Sequence, residues 1–237
     1  MKRFTIYLLT CTLAFSLVAC GSNEGNEKSK TKSDSVSESI QPTEDTDTNK
    51  ADKLSNSESK ILIAYFAVAE NSDVDAVSSA SVAKVNGEAK GLVRILAEDI
   101  QSETGWDLFS IQTSVDYPGN GKDLIDYAAE EQEDNVRPEL TTSIENLDEY
   151  DTIFIGFPNW WYDMPMVMYS FFEEYDFSGK TIIPFNSHNG SRFSSTIDTI
   201  QELEPKATVI KDGFTVNEKD VTDAYEDIVD WLKDLGY

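Results

Sequence analysis

The chain has 237 residues, enough for one or two domains, and its 44 acidic against 19 basic residues give a net charge of −25. So acidic a surface repels nucleic-acid phosphate, which excludes nucleic acid as a partner, and it either favours basic proteins and steered encounters or serves solubility alone. The two cysteines, Cys11 and Cys20, both fall in the first twenty residues, so the remainder has no disulfide, thiolate metal ligand or cysteine nucleophile.

Residues 1–20 read as a targeting segment. Lys2 and Arg3 precede an apolar stretch from Phe4 to Val18, too short to span a bilayer as a permanent helix. Leu17-Val18-Ala19-Cys20-Gly21 resembles the lipobox of bacterial lipoproteins. That resemblance implies cleavage before Cys20, a diacylglycerol on its sulfur, and a lipid-anchored protein on the extracytoplasmic face of the cell membrane. More than one acyl chain gives firm anchoring where one is marginal. Residues 21–58 lack aromatics and are rich in Ser, Thr, Asp, Glu, Lys and Asn, a composition that cannot bury enough surface to fold. As a flexible tether this stretch reaches on the order of 35 Å.

Residues 59–237 form the domain. Lys60 to Phe66 is an apolar run that predicts a buried strand. Ala67 to Glu88, with Ser78-Ser79-Ala80-Ser81, has no helical period and reads as an insertion. From Ala89 the pattern becomes helical, with Leu92, Ile95, Leu96 and Ile100 on one face and Gly105 as the C-terminal stop. Trp106 to Gln112 is the second strand, and a helix near Lys122 to Glu133 follows a loop with Tyr117-Pro118-Gly119. The third strand, Thr152 to Phe157, precedes a helix opened by Pro165. Thr181 to Phe185 is the fourth, with Pro184 a mark against a regular ladder. A helix near Phe193 to Leu203 and a fifth strand within Ala207 to Val216 lead to the last helix, capped by Asn217 or Asp220. Five strands alternating with five helices imply a parallel sheet covered on both faces.

The most informative stretch is Phe157-Pro158-Asn159-Trp160-Trp161-Tyr162-Asp163. Pro158 stops the third strand, and three aromatics follow in a loop at its carboxyl end. Ligands bind there in open α/β sheets, and large flat side chains suit a large flat ligand. The opposing reading is that the tryptophans plug the top of the sheet. The loops after Phe66 and after Phe185, the latter Asn186-Ser187-His188-Asn189-Gly190-Ser191, belong to the same edge. His188, the only histidine, either donates to a ligand or relays a proton, or simply faces solvent. No nucleophilic elbow, Walker loop or metal-ligand cluster stands out.

From about Lys60 to Gly236 the chain resembles flavodoxin-like proteins with a Gly-Phe-Pro-x-Trp-Trp loop. The matching pieces are Ile63-Ala64-Tyr65-Phe66, Gly105-Trp106-Asp107-Leu108-Phe109, Arg137-Pro138-Glu139-Leu140, Gly156-Phe157-Pro158-Asn159-Trp160-Trp161 and Asn189-Gly190-Ser191. The resemblance implies a flavodoxin-like three-layer α/β sandwich on a five-stranded parallel sheet of order 2-1-3-4-5, with non-covalent FMN and one- or two-electron transfer. It places the ring against Trp160 or Trp161, with Tyr162 or Tyr117 as a second wall. The ring edges would meet the segment from Pro158 and Asn159 to Asp163, and Asn186, Ser187, His188, Asn189 and Gly190. The phosphate would meet Ala67 and Val68 after the first strand, or Ala89, Lys90 and Gly91 before the first helix. Both segments depart from the family pattern. Ala67-Val68-Ala69-Glu70 lacks glycine and carries a carboxylate, and Gly87-Glu88-Ala89-Lys90 replaces a Gly-Asn-Thr type motif.

Two functions follow, ahead of a third, a hydrolase on the same fold, which the missing nucleophile disfavours. One is a membrane-tethered FMN electron carrier or FMN-dependent oxidoreductase, working with a redox protein or a small-molecule electron acceptor. The other is a binding lipoprotein on a flavodoxin-like scaffold that has lost FMN.

Overall fold

The computed structural model describes residues 60–71 and 81–237. The targeting segment 1–20 with Cys20, the tether 21–58 and residues 72–80 of the small-residue insertion lie outside the described residues. What is described falls within one compact unit, Leu54–Tyr237.

The apolar runs become strands because both faces of each are covered. β1 (Lys60–Phe66) pairs in parallel with β4 (Asp107–Ile111) on one side and β5 (Tyr150–Pro158) on the other. β5 pairs in parallel with β6 (Thr181–His188). The order is β4-β1-β5-β6 followed by the last strand segments, which is the expected 2-1-3-4-5 winding. Successive side chains of β1 point to opposite faces. Leu62, Ala64 and Phe66 meet Leu124 of α2 (Gly121–Glu133), Val167 and Phe171 of α3 (Met166–Glu174) and Ile200 of α4 (Thr196–Leu203). Ile63 and Tyr65 meet Leu92, Leu96 and Ile100 of α1 (Leu92–Thr104) and Ile228 and Leu232 of α5 (Tyr225–Leu235). Three layers result. Gly156 in β5 is needed for packing, since a Cβ there would lie 2.2 Å from the Phe185 ring.

Four local readings change. The helical pattern from Ala89 begins at Leu92, because Glu88–Gly91 forms β3, antiparallel to β2 (Val82–Val85), in a small separate hairpin. The fifth strand is split into β7 (Thr208–Val209) and β8 (Phe214–Asn217), which pair with Thr181–Ile182 and Phe185–His188 of β6. The interruption falls opposite Ile183 and Pro184. Pro184 has no N–H to donate, and Gly213 crosses it so closely that a Cβ would sit 2.5 Å from the Pro184 carbonyl oxygen. β6 itself runs through the proline, which pairs with Ile155. The last helix is capped by neither Asn217 nor Asp220: a single 3-10 turn (Val221–Asp223) intervenes, and Ala224 is the N-cap of α5. Pro165 occupies the N-cap of α3, one place earlier than the first helical position. Gly105 closes α1 in the left-handed conformation, φ 74°, as expected.

Candidate functional site

The carboxyl ends of β5 and β6 flank a cleft of about 180 Å³. Leu124, Ile125 and Ala128 of α2 line one side, Pro158 to Trp161 the floor and wall, and Ser187, His188 and Asn189 the other side, with Ser81 and Glu218 at its margin. A second hollow of about 520 Å³, bounded by Tyr162, Gly190 and Ser191, shares Asn159, Trp161 and Asn189 with it. Trp161 is therefore common to both. Together they reach the size of a small-molecule site.

The aromatic loop is a two-residue hairpin. Trp160 and Asp163 exchange backbone hydrogen bonds at 2.8 and 2.9 Å, with Trp161 and Tyr162 between them at φ 50° and 67°. A turn with two left-handed central residues normally takes Asn-Gly, because a side chain there costs about 1–3 kcal/mol. Several contacts hold the strained form. The Asp163 carboxylate accepts from the Met164 N–H and the Tyr169 hydroxyl, both at 2.8 Å. The Trp161 Nε1–H donates to the Ile125 carbonyl at 2.9 Å. Trp160 packs edge-on against Phe66 and Tyr117, with centroids 5.8 and 5.7 Å apart.

The three aromatics thus divide. Trp160, expected outside the core, is anchored in it and floors the cleft. Trp161 and Tyr162 are 49% and 71% exposed and stand as open walls. Tyr117, considered as a second wall, is buried at 2% exposure beneath Trp160, because Phe66, Trp160 and Tyr127 surround its ring. It supports the floor and has no face toward a ligand. Asp163 holds the turn, so its carboxylate is committed within the loop.

Asn159, just past β5, and His188, the last residue of β6, enter the cleft side by side. The Asn159 N–H donates to the Ser187 carbonyl at 2.8 Å, extending the ladder, and its Oδ1 accepts from Ser191 Oγ at 3.0 Å. Its Nδ2 is buried with no partner. His188 Nδ1 accepts from the Gly190 N–H at 2.8 Å, and burial, then nearby Arg192, hold its pKa below the ordinary value. Asn186 is fully buried behind the loop, where its Nδ2 donates to the Arg192 carbonyl. It pins the loop and does not line the cleft.

The two segments read as phosphate ligands do meet, since a Cβ on Gly91 would lie 2.5 Å from that of Ala67. Their groups are largely engaged, however. Ala67 and Val68 are buried, and the Ala67 carbonyl accepts from Asn71 Nδ2. Ala89 and Lys90 pair with Lys84 and Ala83 in the hairpin, so they do not form a loop at a helix start. The Lys90 ammonium is 2.7 Å from Glu98, and the first amide of α1, on Leu92, donates to the Ser81 carbonyl. Glu70, which would oppose a phosphate, instead accepts from the Tyr65 and Ser110 hydroxyls and pairs with Arg94.

Residues that the sequence did not mark are Leu124, Ile125 and Ala128, which look like any apolar helix stripe, and Glu218. The Arg137-Pro138-Glu139-Leu140 piece has a structural role. The Glu139 carbonyl accepts from the Ser114 N–H and the Thr113 hydroxyl, fixing the loop that precedes Tyr117. Among the described residues no His, Cys, Asp and Glu group could hold a metal, and no helix is long and apolar enough to cross a membrane.

A doubly wound parallel sheet with a cleft at the carboxyl edge, between loops rich in aromatic and amide side chains, defines a class of small-ligand-binding α/β proteins. The flavodoxin family profile matches residues 81–235, and the chain belongs to that family. No curated protein matches it by sequence. Among solved structures it is similar to a protein assigned as a flavoprotein from Bacteroides uniformis, at 27% identity and a TM-score of 0.57 over 74% of this chain and 98% of that one. A second, from Bacteroides eggerthii, is 25% identical with a TM-score of 0.52 over 72% and 98%. A flavoprotein in complex with FMN from Lactobacillus acidophilus is 19% identical with a TM-score of 0.47 over 71% and 99%.

Proposed function

We propose that this protein is an FMN-binding electron-transfer flavoprotein or FMN-dependent oxidoreductase, tethered through Cys20 to the outer face of the cell membrane. The observation that carries the reading is Trp161, an exposed indole held in a strained turn at the edge where family members bind flavin. Such strain persists where the surroundings over-determine it, and it concentrates at ligand clamps.

The residues present suit the ring end of FMN. Trp161 and Tyr162 offer aromatic faces, Leu124, Ile125 and Ala128 an apolar side, and the unpartnered Asn159 amide a donor for a ring edge. Bound FMN would supply the redox chemistry by accepting and releasing electrons. The chain's own part is to bind, orient and shield the ring. No acid–base residue is required of it for electron transfer. At the phosphate end, the engaged groups of Ala67, Lys90 and Leu92 favour the second reading, a flavodoxin-like lipoprotein without FMN.

The visible spectrum of the purified chain, before and after equilibration with FMN and gel filtration, separates the two. A retained flavin band supports the flavoprotein, and a colourless protein supports the scaffold.

A further inference from the structure

The loop Asn189-Gly190-Ser191 orients two side chains, His188 at the end of β6 and Asn159 just past the end of β5. The Gly190 N–H points at Nδ1 of His188, and the Ser191 hydroxyl at Oδ1 of Asn159. An imidazole nitrogen that accepts a hydrogen bond carries no proton, so the neutral ring holds its proton on Nε2. Nε2 has no partner among the described residues, and neither has Asn159 Nδ2. Both residues line the same cleft. Two donors at the ends of adjacent strands are thus fixed by neighbouring residues of one loop and have no acceptor among the described residues.

We propose that His188, locked as the Nε2–H tautomer by Gly190, is a specificity-determining donor that works with Asn159 to select ligands presenting a hydrogen-bond acceptor edge, and that its protonation releases the loop. The proposal rests on the FMN reading for the identity of the ligand, since the flavin pyrimidine ring carries such an edge. The tautomer lock does not depend on it. Protonated His188 has two N–H donors, and Gly190 then faces a donor in place of an acceptor. The charged groups around the imidazole are Arg192 on the loop and Glu218, whose N–H donates to the His188 carbonyl. Arg192 and burial both oppose protonation, which keeps the neutral form in place through the neutral pH range.

Two measurements test this. Imidazole nitrogen chemical shifts of the ligand-free chain should show a protonated Nε2 and a bare Nδ1 at neutral pH. The Gly190 amide signal should move with the histidine titration at a midpoint below the ordinary value. FMN titrations are then run on three variants. His188→Gln keeps a donor near the Nε2 position and should bind within about twofold of wild type. His188→Asn keeps the acceptor for Gly190 but lacks the far donor, and should weaken binding about five- to tenfold, as His188→Ala should, the effect of one hydrogen bond. A protonated Nδ1, or Asn binding as well as Gln, overturns the proposal. If wild type binds no FMN while the nitrogen shifts are as expected, the FMN reading fails and the locked donor stands for another acceptor-bearing ligand.

Discussion

Trp160 and Asp163 exchange both of their backbone hydrogen bonds, and the two residues they enclose are bulky aromatics in left-handed conformations. This pairing sets Trp161 and Tyr162 outward while Trp160 turns into the core. It also stores strain at the mouth of the cleft.

Replacing Tyr162 by glycine should relieve part of that strain. Tyr162 is 71% exposed and sits where such a turn prefers glycine. The left-handed penalty outweighs the entropy that glycine loses on folding, so the variant should gain about 0.5–1 kcal/mol in urea unfolding. A loss of stability would mean that the tyrosine ring holds the loop in place.

Glu131 should make the fold weaker as pH rises. It is 4% exposed on α2, Oε1 has no partner, and Oε2 lies 3.5 Å from the Tyr117 hydroxyl, too long for a strong bond. Burial pushes its carboxyl up to about 7. The folded protein therefore keeps this proton after the unfolded chain has released it, and stability present below about pH 4.5 is lost as pH rises to about 7. Glu131→Gln should remove that loss, on the order of 2–3 kcal/mol at pH 8. Unfolding curves of both proteins at pH 5 and pH 8 check it, and parallel pH dependence would count against the assignment.

Acidic charge should lower the reduction potential of bound FMN relative to free FMN, because reduction adds negative charge to the ring. Arg192 is a cation beside the cleft, and among the described residues it forms no ion pair. Added salt screens charges beyond roughly 8 Å at physiological strength and should move the potential back toward the free value. Arg192→Gln should lower it further. A spectroelectrochemical titration at two ionic strengths measures this, and a salt-independent potential above that of free FMN would show that local donors such as His188 dominate.

Anchoring is tested separately. Cys20→Ala should abolish lipid attachment, leaving an uncleaved precursor or releasing the protein to the medium. Fractionation showing unchanged processing and membrane retention would remove the lipid anchor from the account.

The sheet was legible because Ile61 to Phe66 and Ile153 to Phe157 are apolar runs that only strands buried on both faces explain, and the alternation with helices then leaves few windings. The split at Pro184 was half legible: the proline announced a fault, but Gly213, which lets the chain cross it, signals nothing until the two are seen in contact. The division of labour within Trp160-Trp161-Tyr162 could not be read at all. It depends on the backbone of a turn whose residues are the opposite of those the turn prefers. The same holds for Tyr117, whose burial is decided by partners at Phe66 and Trp160, far away in sequence. The strand at Ala89 and Lys90 was not legible, because a four-residue strand of small and charged residues has no alternation that a sequence can show.

The central claim is that flavin binds against Trp161 and not against Trp160. FMN fluorescence titrations of wild type, Trp161→Ala and Trp160→Ala, with urea unfolding of each, test it most directly. The account predicts that Trp161→Ala loses only the hydrogen bond to Ile125, a cost of about 0.5–1.5 kcal/mol in stability, weakens FMN binding by about 1–3 kcal/mol and loses flavin quenching. It predicts that Trp160→Ala is destabilised by about 2–4 kcal/mol as a partly buried aromatic is removed. Wild-type affinity and quenching in Trp161→Ala would contradict it.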